Sequence, residues 1–136
     1  MRAQVKVAKR MAVVATAAAA LTAAGLATAP TASAGDYNGC GWPRVCFYLT
    51  NSDWNNGRPT AAYQDVTSSY QDLGSKSYGA NYVRNTRNDD RVYLRVYDKY
   101  SVTYYWCLPP NSTFHFSDDV RVSGIKIQTQ STCPST

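Results

Sequence analysis

The sequence predicts an all-β fold: a small β-sandwich of two Greek keys, braced by two disulfides. Three observations carry that expectation. Between Arg91 and Cys107, Val92, Leu94 and Val96 alternate with Tyr93, Arg95 and Tyr97, the two-residue period of a strand with one buried and one wet face. No long segment has a helical period. All four cysteines (Cys40, Cys46, Cys107 and Cys133) follow an N-terminal export signal, and an even count in a short exported chain implies disulfides.

That signal covers residues 1–34. Arg2, Lys6, Lys9 and Arg10 make a basic start, Met11 to Ala29 is an uncharged Ala/Val/Leu run, and Ala32-Ser33-Ala34 is a small-x-small cleavage site. The run is weakly hydrophobic and breaks at Gly25 and Pro30, which favours a cleaved signal peptide over a membrane anchor. The mature chain, residues 35–136, has the size of one secreted, extracellular domain. Removing the signal also removes the charge excess. Of 14 basic residues ten remain, against nine acidic ones, all Asp. The basic isoelectric point therefore belongs mostly to the leader and indicates no nucleic-acid partner, nor a membrane one after cleavage. A monomer is expected.

Four cysteines allow three pairings. Spacing favours Cys40–Cys46, across a tight loop holding Gly41 and Pro43, and Cys107–Cys133. The second bridge closes a long loop and is worth roughly 3 kcal/mol in the chain-entropy model. With no CxxC and one histidine, a zinc site is not expected and no cofactor is implied.

In order along the mature chain, a polar lead-in reaches Gly41 and Val45–Thr50 reads as the first strand. Asn51–Pro59 is turn chemistry, with Asn56-Gly57 suited to a tight turn. Thr60–Val66 reads as a second strand, and Thr67–Gly79, rich in Ser, Gly, Gln and Asp, as loop. Asn81–Asn85 is a short strand. The charged residues Arg84, Arg87, Asp89, Asp90 and Arg91 suggest a solvated connection. The hairpin follows, turning at Asp98–Ser101 and resuming over Val102–Trp106, with Pro109 and Pro110 ending it because proline cannot donate to a ladder. Asn111-Ser112-Thr113 reads as a polar turn. Thr113–Phe116 is a strand with His115 opposite in direction to its two phenylalanines. In Val120–Gln128 the apolar phase shifts from Val120 and Val122 to Ile125 and Ile127 across Gly124, as at a bulge or kink. Two halves of similar length result, each closing on a similar short strand.

Several of these residues resemble a known family. Cys40-x5-Cys46-Phe47-Tyr48, Trp54-Asn55-Asn56-Gly57-Arg58, Tyr82-Val83-Arg84-Asn85 and Asp118-Asp119-Val120-Arg121-Val122-Ser123 are similar to the secreted actinobacterial proteins grouped with the Streptomyces metalloproteinase inhibitor. The resemblance implies a βγ-crystallin-like fold and a protein that blocks a secreted protease, in that family a zinc metalloprotease. The family presents its reactive bond on a disulfide-closed loop. The comparable place here is Trp106, Cys107, Leu108, Pro109, Pro110 and Asn111, where prolines stiffen the turn and Cys107 anchors it, without a second cysteine close behind. A loop facing a protease must be rigid to limit the entropy lost on docking. Crystallin-type calcium motifs make Asp118 and Asp119 the candidates for a cation, but Val122 stands where a ligand oxygen is needed and calcium takes six to eight oxygens. Weak calcium binding or none is expected.

Catalytic supply is poor: one histidine, no glutamate, and no nucleophile-elbow motif for a Ser-His-Asp arrangement around His115. The chain is expected not to be an enzyme. Beside inhibition, two other functions fit: a carbohydrate or cell-wall binding module stacking sugars on Trp42, Trp54, Trp106 and exposed tyrosines, and a crystallin-fold antimicrobial protein.

Overall fold

The structure, a computed structural model, describes residues 35–135; the expected signal peptide lies outside the described residues. Eight strands form two four-stranded antiparallel sheets: β1 (Val45–Tyr48), β2 (Ala61–Tyr63), β3 (Gln71–Asp72), β4 (Tyr82–Asn85), β5 (Arg91–Asp98), β6 (Thr103–Leu108), β7 (Thr113–His115) and β8 (Val120–Gln128). One sheet has the order β2-β1-β4-β7 and the other β3-β8-β5-β6. Each half of the chain therefore lends its third strand to the sheet built by the other.

One core lies between the sheets. Val45 and Phe47 of β1 and Val83 of β4 meet Val92, Leu94 and Val96 of β5 and Ile125 and Ile127 of β8, with Leu108 and Phe116 closing it. Strand β5 shows strict alternation, its even residues buried and its odd ones at the surface as far as Tyr97. The phase change in β8 is a bulge. Arg95 pairs with Gly124 and Val96 with Val122, leaving Ser123 as the extra residue. That insertion lets both Val122 and Ile125 reach the core.

A second, smaller cluster sits on the opposite face of the first sheet, where Cys40, Cys46 and Tyr48 pack with Trp54 and Tyr82. The lead-in covers this face, fastened by the Cys40–Cys46 disulfide. The other disulfide, Cys107–Cys133, ties the C-terminal tail to β6.

Three segments differ in detail from the sequence expectation. Residues 51–55 form a single helical turn, α1 (Asn51–Asn55), inside the stretch read as turns. Thr50 caps it: its hydroxyl accepts from the Asp53 amide while the Asp53 carboxylate accepts from the Thr50 amide, a reciprocal capping box. Within the expected loop 67–79, Gln71 and Asp72 pair with Ile125 and Gly124 as β3. The charged 86–90 connection is more than a solvated loop. Asp90 is buried and pairs with Arg87, whose guanidinium also donates to the carbonyls of Pro43 and Gln64 at 2.7 and 3.0 Å.

Candidate functional site

The six residues singled out at the end of the hairpin divide between strand and turn. Trp106, Cys107 and Leu108 belong to β6, and Pro109–Ser112 make the turn into β7. Leu108 points into the core at 1% exposure. Trp106 is half-buried and stacks on Phe114 and Phe116, with ring centroids 5.0 and 5.5 Å away. Cys107 faces the other way, into its bridge with Cys133. Pro109 and Asn111 are exposed, and Asn111 has a positive φ of 53°, a conformation asparagine tolerates better than most residues.

This turn is held from behind. Asn85, fully buried at the end of β4, donates its side-chain amide to the Pro109 carbonyl (3.1 Å) and to the Asp90 carbonyl (2.9 Å). Arg84 donates to the Asn111 carbonyl at 2.8 Å, the Asn111 amide donates to the Arg87 carbonyl, and the Asn111 side chain reaches Asn88. Two adjacent β4 side chains thus hold carbonyls on either side of Pro110. Arg84 lies over the Tyr37 ring, 4.1 Å from its centroid, and burial lowers its pKa from the ordinary guanidinium value.

Asp118 and Asp119 are exposed in the turn before β8, where Asp119 lies 3.7 Å from the Lys99 ammonium. The serine that ends their motif, Ser123, instead accepts from Arg95 Nε and donates to the Arg95 carbonyl. Among the described residues no group of three or more His, Cys, Asp or Glu could hold a metal ion. His115 stacks on Tyr82 (4.3 Å between centroids), which stacks in turn on Trp54 (4.6 Å). Of the three tryptophans considered for sugar stacking, Trp54 is therefore sandwiched into the small cluster and Trp106 into the sheet edge. Trp42 is exposed.

Sequence reasoning missed a different surface. On the outer face of the second sheet, cross-strand pairs set Tyr105 beside Arg95, and Cys107 beside Tyr93 beside Lys126. Tyr70 leans on Tyr105 at 5.3 Å. Cations lie against the rings: Lys126 is 4.9 Å from the Tyr70 centroid and 5.5 Å from that of Tyr93, and Arg91 is 5.1 Å from Tyr93. The signal was present in the alternation of β5, whose odd residues Arg91, Tyr93, Arg95 and Tyr97 must share the face opposite the core.

No family model, curated protein or solved structure matches the chain.

The chemistry of both surfaces therefore rests on their own geometry. The turn offers a fixed backbone with its polar groups braced from the scaffold side. The sheet face offers phenol rings and cations. Arg95 lies against Gly124, where a Cβ would come within 3.0 Å of the guanidinium, and is pinned by Asp72 and Ser123. The bond to Asp72 raises its pKa further. Burial, with neighbouring Tyr105 and Tyr93, pushes the Tyr70 phenol up to about 12, so its ring stays neutral under ordinary conditions. At the rim of this face, a groove of about 290 Å³ runs past Tyr105, Trp106, Phe114 and the Cys107–Cys133 bridge.

Proposed function

We propose that this protein is a secreted, non-enzymatic peptidase inhibitor with a βγ-crystallin-like double Greek key, acting as a monomer on a secreted zinc protease. The exchange of the third strand between sheets supports that fold, and the two disulfides suit an oxidising, extracellular setting. The observation that carries the functional reading is the bracing of Pro109–Asn111 by Asn85 and Arg84. A protease cleaves a segment that it can draw out into its cleft. A turn whose carbonyls are gripped from the scaffold on both sides resists being drawn out, and if cut it keeps its ends together. Rigidity also reduces the ordering entropy lost on docking.

The test is slowing of a panel of thermolysin-like proteases by the purified protein at equimolar ratio. Arg84→Ala removes one clamp and is expected to weaken inhibition by about tenfold, the scale of a charged hydrogen bond. It should also turn the segment between Leu108 and Ser112 into a cleavage site detectable by mass spectrometry. If no member of the panel is slowed, the proposal falls.

A further inference from the structure

The outer face of the second sheet has chemistry that protease inhibition does not use. Tyr70 beside β3, Tyr93 on β5 and Tyr105 on β6 lie across this sheet, with Lys126 close to both the Tyr70 and Tyr93 rings and Arg91 over the Tyr93 ring. Tyr105 is 58% exposed, leaving ring surface open to a ligand. Arg95 is neutralised by Asp72. Arg91 is hydrogen-bonded to neutral oxygens, the Gln128 side chain at 3.0 and 3.1 Å and the Thr132 carbonyl at 2.7 Å. Among the described residues no carboxylate pairs with Arg91 or Lys126. The face thus pairs apolar ring surface with uncompensated positive charge.

We propose that this face binds a linear polysaccharide of uronic acids. Pyranose rings carry C–H faces that pack on aromatic side chains, and a uronate adds one carboxylate per ring. Charge complementarity places those carboxylates at Lys126 and Arg91, where guanidinium–carboxylate contact can be bidentate. A neutral glycan leaves the cations without partners. A nucleic acid, with a phosphate at every step, calls for more unpaired cations than this near-neutral domain supplies. The side chains are already packed on one another, so little ordering is lost on binding. The proposal is independent of the turn at Pro109–Asn111, and either can fail alone.

The experiment is retention of the purified protein on immobilised polygalacturonate, on the fully methyl-esterified polymer, and on a single-stranded oligonucleotide, each at two salt concentrations. The acid polymer alone should retain it, and retention should fall as the screening length shrinks from about 30 to about 8 Å. Lys126→Gln and Tyr105→Ala should each weaken binding by about tenfold, while Tyr100→Ala, at the far tip of the hairpin, should leave it within about twofold. Equal retention on the esterified polymer, equal or tighter retention on the oligonucleotide, no retention on any matrix, or Lys126→Gln and Tyr105→Ala binding like the parent would overturn the proposal.

Discussion

Tyr48 shows what one residue can contribute to both stability and its pH dependence. Its ring is fully buried beneath the lead-in, and its hydroxyl donates to the Asn38 carbonyl at 2.8 Å. Burial pushes the phenol up to about 12. Because the folded value lies above the unfolded one near 10, this stabilisation is intact below pH 10 and is lost as pH rises from there toward 12. Tyr48→Phe should cost about 1 kcal/mol near neutrality, the scale of one hydrogen bond, and should flatten the alkaline limb of stability measured by urea unfolding across pH. Gly39 is constrained in another way. It has a φ of 78°, and a Cβ there would sit 2.0 Å from the Gly57 carbonyl oxygen. The obstacle is backbone and cannot swing aside, so Gly39→Ala should destabilise by at least about 2 kcal/mol in the same assay, with left-handed strain adding to the clash.

Among the elements, legibility followed the length of the pattern. Strand β5 repeats its period over enough residues to be read directly; β6 pairs with it in continuous register, and β8 pairs with it on both sides of the bulge. The bulge in β8 was legible because an apolar phase change needs one inserted residue. Strand β3 was not, since two residues cannot show a period; its pairing is imposed by β8. The helical turn α1 was hidden because Asn and Ser favour turns as readily as helix starts, although Thr50 and Asp53 are spaced as a capping box. Thr50→Ala should cost about 1 kcal/mol in denaturant unfolding and should loosen Trp54, detectable as a shift in tryptophan fluorescence. The turn candidate was legible in position from Cys107 and the prolines. Its clamps were not, because Asn85 and Arg84 come from β4, which only the folded sheet brings alongside. Leu94→Ala, at the centre of β5, should cost about 2–5 kcal/mol in the same denaturant unfolding, as for a large-to-small change in a packed core.

For the molecule as a whole, a small domain with one main core depends on its covalent braces. The Cys107–Cys133 bridge spans 26 residues and includes all of β7 and β8. Replacing both cysteines by serine should cost about 3 kcal/mol in the chain-entropy model, measured by thermal unfolding, and should free the tail that now bonds Arg91 through Thr132. The exchange of third strands reaches further. Neither half of the chain holds all four strands of either sheet, so a polypeptide ending near Asp89 exposes an incomplete sheet, as does one beginning there. Expressed separately, the two pieces should each remain unstructured, and mixing them should restore the parent's circular dichroism through fragment complementation. A piece that folded by itself would mean that the halves are self-sufficient modules.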